Sequence, residues 1–199
     1  ALTLLFAPAC AACEGPLDRP AASAVCTACW RAIVRWSPPW CVRCGMPQSP
    51  WRPARETCAR CRRAAGTLTI RSVGPYEGRL RDVLHVFKYE GRRSLACALT
   101  TLVRDQAADV LASADAVVPV PLHGARRRHR GFNQARDLAA GLGLPVLDAL
   151  RRTRATPAQA SLTAGARRRN VRGAFALAPV PRWTRDGWRA SRRARVSRM

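Results

Sequence analysis

Four Cys-x-x-Cys pairs, Cys10/Cys13, Cys26/Cys29, Cys41/Cys44 and Cys58/Cys61, crowd the first third of a 199-residue chain and hold eight of its nine cysteines. Twelve residues lie between the first two pairs and thirteen between the last two, so the pattern is an internal repeat. A Cys-x-x-Cys turn presents two thiolates on one knuckle, and two knuckles complete the tetrahedral four-sulfur shell of structural Zn2+. A segment of under ~70 residues has too small an apolar core to fold without such a staple. Redox pairs usually occur once, at the head of a helix, and disulfides belong to oxidising compartments. Residues 1–66 are therefore expected to form a cysteine-rich double zinc ribbon holding two structural Zn2+. Spacing leaves the pairing open: consecutive pairs give two ribbons, alternate pairs a cross-braced module.

The compartment follows from the rest of the chain. No stretch approaches the roughly 20 apolar residues of a membrane span. The apolar run at residues 1–7 lacks a basic leader and is too short for a secretory signal, so a reducing cytoplasm is expected. With 48% hydrophobic residues the chain is globular in composition despite a formal charge of +23. Of its 35 basic residues all but Lys88 are arginine. Such a skew points to a GC-rich coding sequence as much as to a polyanionic partner such as nucleic acid or a phosphorylated ligand.

From residue 67 the text changes. Residues 68–73 alternate as a short strand, closed by Gly74-Pro75. Leu80, Val83, Leu84 and Phe87 mark a helix, and a second runs from Leu95 to Leu111 after the Gly91 break. Residues 116–118 read as a buried strand ending in a loop stiffened by Pro119 and Pro121, which cannot donate ladder bonds. A helix over 132–142, a strand at 145–147 and an Arg-rich loop or loop-helix over 151–170 complete an α/β order. Cys97, among Leu95, Ala96, Ala98 and Leu99, is assigned to the core. His123 and His129 lack a visible carboxylate partner and are not assigned general-base chemistry.

Three strings carry a more specific signal: GPYEGRLRDVLHVFKYEGRRSLA, then PVPLH…RHRGFNQARDLA, then RRTRATPAQASLTAGARRRNVRGAF. Behind cysteine pairs, and in this order, they closely resemble the competence protein F (ComF) family of phosphoribosyltransferase-like proteins, over roughly residues 5–178. The resemblance implies a type I phosphoribosyltransferase-like parallel-sheet α/β domain over 67–178, preceded by the zinc-ribbon domain. It also implies a site for phosphoribosyl pyrophosphate (PRPP), with Mg2+ and positive charge stabilising the pyrophosphate. On the matching positions the candidate ligands are Arg126, Arg128, Arg130, Gly131, Asn133 and Gln134, followed by Thr156, Gln159, Arg167 and Asn170. Arg152 and Arg154 share the segment that resembles the mobile loop of such transferases. Lys88, at a helix end, is a further phosphate candidate, with an ordinary macrodipole-complementing cation as the alternative.

The family's Asp-Asp-x-x-Thr-Thr-Gly element does not occur in this sequence. Residues 179–199 carry seven arginines, two tryptophans and one acid without apolar periodicity, as a shifted reading frame would, and are expected to be an aberrant tail. These 199 residues are therefore expected to be catalytically incomplete, with PRPP binding and a family link to DNA uptake belonging to a complete form. The competing expectation is a noncatalytic zinc module that binds single-stranded DNA or a competence protein through Trp30, Trp36, Trp40, Trp51 and neighbouring arginines.

Overall fold

A computed structural model describes residues 8–51, 57–64, 66, 68–159 and 161–179. The opening run at 1–7, and the tail expected at 179–199 apart from Pro179, lie outside the described residues. The chain divides into two compact units, Ala1–Ser113 and Ala114–Met199.

In the first unit the cysteine repeat is also a structural repeat. The first knuckle closes through an Ala9–Pro16 antiparallel bridge and a Cys10 N–H bond to the Gly15 carbonyl at 2.7 Å. The second closes through Trp40–Pro47 and a Cys41 N–H bond to Met46 at 2.9 Å. Both turn through a left-handed residue just after the second cysteine, Glu14 at φ 62° and Gly45 at φ 67°. Only Gly45 needs to be glycine for space as well, since a Cβ there would lie 2.6 Å from the Ile70 carbonyl oxygen. The returning pairs repeat too: Cys26 and Cys58 sit just ahead of the one-turn helices α1 (Thr27–Arg31) and α2 (Ala59–Arg63), which contain Cys29 and Cys61.

Helices α3 (Gly78–Tyr89) and α4 (Leu95–Gln106) bury Leu80, Val83, Val86 and Phe87 on one and Leu95, Leu99, Thr100 and Leu102 on the other. The expected second helix breaks at Ala107, and α5 (Ala108–Ala112) follows. Cys97 is exposed, which corrects its assignment to the core. Two positions beyond Leu95, it points roughly 200° away from that buried side chain. Residues 68–73 form no strand, because their partners are loops: Ile70 N–H bonds the Arg43 carbonyl and Val73 accepts from Trp36. Gln106 then ties the same place to α4, donating to the Trp36 and Val73 carbonyls at 2.8 and 3.0 Å.

The second unit mixes helix and sheet. Val117 and Val146 form an isolated parallel bridge in place of the two expected strands. Pro119, Pro121 and Pro145 supply no N–H, so a longer ladder has too few donors. Between them lie α6 (Gly124–Arg130) and α7 (Gln134–Ala140). Residues 126–130 are therefore helical rather than part of the expected loop. His123 caps α6, its Nδ1 accepting from Ala125 N–H, and Gly131 ends it at φ 79°. Strands β1 (Leu150–Arg152) and β2 (Phe175–Leu177) pair antiparallel, Arg152 opposite Phe175, with α8 (Ala164–Val171) between them in sequence. Phe132, Ala139 and Ala174 form the buried centre.

Candidate metal centres and arginine cluster

The four thiols Cys10, Cys13, Cys26 and Cys29 form one group and Cys41, Cys44, Cys58 and Cys61 another, each with all four sulfur atoms within 4.8 Å of one another. Consecutive pairs thus share a site, which resolves the pairing in favour of two ribbons. The close sulfur contacts measure 3.9 Å for Cys10–Cys29 and Cys13–Cys26 and 3.8 Å for Cys44–Cys58. A tetrahedron with zinc–sulfur bonds of about 2.3 Å has edges of about 3.8 Å, whereas a disulfide brings its sulfurs to about 2.05 Å. The donor set and its spacing fit Zn2+.

Backbone N–H groups prepare these sulfurs for charge. Burial alone would push the Cys10 thiol up, but the N–H groups of Cys26 and Ala12 outweigh it and hold it near 6. The same balance, set by the N–H groups of Cys44, Cys58 and Arg43, holds Cys41 near 6. Burial and neighbouring cysteines instead push Cys29 upward, and Cys61 up to about 12. Within each site the backbone thus favours charge on one sulfur, while burial and neighbouring thiols oppose it at Cys29 in the first site and at Cys44 and Cys61 in the second. In the second ribbon Arg43, inside the knuckle, donates to the Cys61 carbonyl at 2.6 Å, to Ala64 at 3.1 Å and to Gly66, locking knuckle against helix.

In the second unit, Arg126 of α6 donates to the Thr156 carbonyl at 3.0 Å, and Arg152 of β1 donates to the Thr156 hydroxyl. The Arg152 guanidinium lies 5.3 Å from the centre of the Phe175 ring. Burial, reinforced by the charge of Arg126, holds it below the usual arginine range. Among the described residues neither arginine meets a carboxylate. Three buried side-chain atoms of the second unit make no hydrogen bond among the described residues: Arg152 Nε, Gln134 Nε2 and Gln159 Oε1. Gln134 is only 7% exposed, and its Oε1 accepts from Arg130 at 3.0 Å.

With this geometry in place, comparison with known proteins is decisive for the family. Residues 1–62 match the family described as Double zinc ribbon domain. The chain is 30% identical over 179 residues to "Competence protein F" of Haemophilus influenzae, covering 85% of this chain and 76% of that protein. The protein belongs to the ComF family. This ComF-family chain is also 31% identical over 164 residues to "DNA utilization protein YhgH" of Escherichia coli, covering 77% and 70% of the two chains. It is 30% identical over 125 residues to "Competence protein ComFC" of Bacillus subtilis, covering 61% and 52%. No solved structure matches.

The remaining candidates of this ComF-family chain divide by place. Arg126, Thr156 and Arg152 come together, as do Arg130 with Gln134. Arg167 of α8 donates to the Gln159 carbonyl and Asn170 to Pro157, so the 156–159 loop is gripped from both α6 and α8. Asn133 caps α7, accepting from Ala135 N–H and donating to Val120, so its amide is used within the chain. Arg128 is exposed on α6. Lys88 belongs to the first unit, 5.5 Å from the Tyr76 ring centre. Of the four candidate tryptophans in the cysteine-rich segment, Trp51 is 94% exposed, whereas Trp30 donates its indole N–H to the Ser23 hydroxyl.

Proposed function

We propose that this protein is a ComF-family binder of a phosphorylated ligand, PRPP in the complete form, acting in DNA uptake in the cytoplasm. One observation carries the reading: Arg126 and Arg152 share Thr156 without a carboxylate, and the buried Arg152 Nε has no partner. Two unneutralised guanidinium groups attract an oxyanion, and a planar fork matches phosphate oxygens in pairs. The Val117–Val146 parallel bridge, with helices between its two partners, supports a phosphoribosyltransferase-like arrangement within the second unit, the part of the proposed 67–178 domain that starts at Ala114. Arg128, Arg130, Gly131, Asn133, Gln134, Gln159, Arg167 and Asn170 complete the ligand set proposed for the second unit. The cluster offers no carboxylate to a divalent ion, so Mg2+ is proposed to arrive on the pyrophosphate of the ligand.

The Asp-Asp-x-x-Thr-Thr-Gly acids are not among these residues, so the activity proposed for residues 1–199 is binding rather than transfer. The names of the relatives support the link to competence and DNA utilisation. Titration calorimetry with Mg-PRPP and with pyrophosphate, on wild type, Arg126→Ala and Arg152→Ala, tests the reading. Binding that both variants weaken is expected, and no binding by wild type, or equal binding by all three, refutes it. The fully exposed Trp51 favours one second reading, a single-strand-binding ribbon, in which oligonucleotide quenches its fluorescence and Trp51→Ala abolishes binding.

A further inference from the structure

The two ribbons differ in how they obtain a positive charge. Zn2+ bound by four thiolates leaves a net charge of −2, and groups beyond the ligands normally orient and neutralise such a centre. The second knuckle, Cys41-Val42-Arg43-Cys44, carries its own arginine. At the equivalent position the first knuckle, Cys10-Ala11-Ala12-Cys13, has Ala12, which has no charge to offer. Arg79, in the first turn of α3, reaches this place from 67 residues away in sequence and donates to the Ala12 carbonyl at 2.9 Å. Asp82, one turn on, holds the same guanidinium nitrogen at 3.1 Å. The field at the guanidinium comes first from Cys29, then from Asp82 and last from Cys13, and it favours the charged form; Cys29 and Cys13 are ligands of the first site.

We propose that Arg79 is the outer cation of the first zinc site, lent by α3, so that metal retention at Cys10, Cys13, Cys26 and Cys29 is coupled to docking of that helix. The inference rests on the zinc reading and not on the ligand proposed for the second unit. It gives the first site a dependence that the second lacks. Loss of zinc from the first knuckle lowers the negative charge that holds Arg79, leaving it to Asp82, and α3 loosens; loss of Arg79 leaves the tetrathiolate uncompensated, and zinc leaves sooner. Arg43 is fixed within its own ribbon, so the second site is an internal control.

The test uses the full zinc-loaded chain. Zinc transfer to a chromophoric chelator is followed over time, and mass spectrometry of alkylated cysteines assigns each phase to its site. For Arg79→Ala, the equivalent bound by Cys10, Cys13, Cys26 and Cys29 is expected to leave on the order of 10-fold faster, as outer-shell losses weaken metal sites by about 10- to 100-fold. The second equivalent is expected to leave at the wild-type rate. Arg79→Lys keeps the charge but not the fork and falls between, and Asp82→Asn, which frees the guanidinium, gives a smaller acceleration. Amide exchange over α3 is expected to quicken both in Arg79→Ala and in wild type stripped at the first site. Unchanged release in Arg79→Ala, or equal acceleration at both sites, overturns the proposal. If Arg79→Ala does not accumulate folded, Arg79→Lys and Asp82→Asn decide by the same site comparison, and two wild-type profiles overturn it. Fewer than two zinc ions on wild type overturns the underlying zinc reading instead.

Discussion

Replacing Arg152 by methionine separates an anion-binding arginine from one that holds the fold. Methionine keeps most of the volume and removes the charge. In the ligand-free protein the substitution loses the bond to the Thr156 hydroxyl, about 1 kcal/mol, and the contact with the Phe175 ring, about 0.5–1 kcal/mol. It also removes a buried N–H with no partner, a relief of about 1–3 kcal/mol, and the repulsion from Arg126. The opposing contributions leave Arg152→Met within about 1 kcal/mol of wild type without ligand. With ligand the balance tips, because a hydrogen bond to a charged group is worth about 1.5–3 kcal/mol, or roughly 10- to 150-fold in affinity. Amide exchange of β1, β2 and α6 in zinc-loaded protein measures the first quantity, and calorimetry with pyrophosphate or Mg-PRPP the second. A ligand-free loss above about 2 kcal/mol, or an unchanged affinity, would show that the guanidinium serves packing and refute the argument.

Three further outcomes are expected. Chelation that removes both zinc ions should abolish protection of the amides of both ribbons in exchange experiments, and Cys41→Ser that of the second ribbon, because structural zinc supplies folding energy directly. Zinc affinity should fall between pH 7.5 and pH 5, read by competition with a chromophoric chelator of known pH dependence. The sign follows from the unfolded metal-free ribbons, whose thiols have ordinary values of about 8.5, so each ligand must give up its proton to bind and does so less readily as pH falls. Phe87→Ala, at a fully buried position on α3, should cost about 3–5 kcal/mol in urea unfolding of the zinc-loaded chain, and a cost under 1 kcal/mol would place Phe87 outside the core.

The ribbons were legible from sequence because their ligands are local. Cys10 and Cys13 share a turn by chain geometry, and only the choice of partner knuckle required coordinates. Helix α3 was legible because Leu80, Val83 and Phe87 repeat at helical spacing and all three are buried. Cys97 was misplaced because its apolar neighbours surround it in sequence, while burial on α4 follows the 3.6-residue period. Residues 68–73 alternate like a strand, yet their hydrogen bonds go to the linker at Trp36 and the knuckle at Arg43, partners that no local pattern announces. Arg126 was visible through its motif as a charged position. That Arg152 meets it at Thr156 depends on tertiary pairing of segments 26 to 30 residues apart, and so was not.

Coding bias or a polyanionic partner were the two sequence explanations for so many arginines, and the structure adds a third. Arg43 binds three backbone carbonyls, and Arg154 binds two, at Asn170 and Arg172. Arg71 binds those of Val42 and Ile70 while pairing with Asp109, and Arg62, Arg79, Arg126 and Arg167 each bind one. Short helices, isolated bridges and proline-broken strands leave many carbonyls without a ladder partner, and an arginine fork reaches two or three of them from one backbone position. Lysine offers a compact ammonium in place of that planar fork. Arg154→Lys should therefore unclasp the Asn170 and Arg172 carbonyls with no change in net charge, which amide exchange at α8 and the following turn would register. A charge of +23 consequently overstates the surface left for a polyanion, since Arg43, Arg71 and Arg154 each commit their forks to two or three carbonyls within the chain.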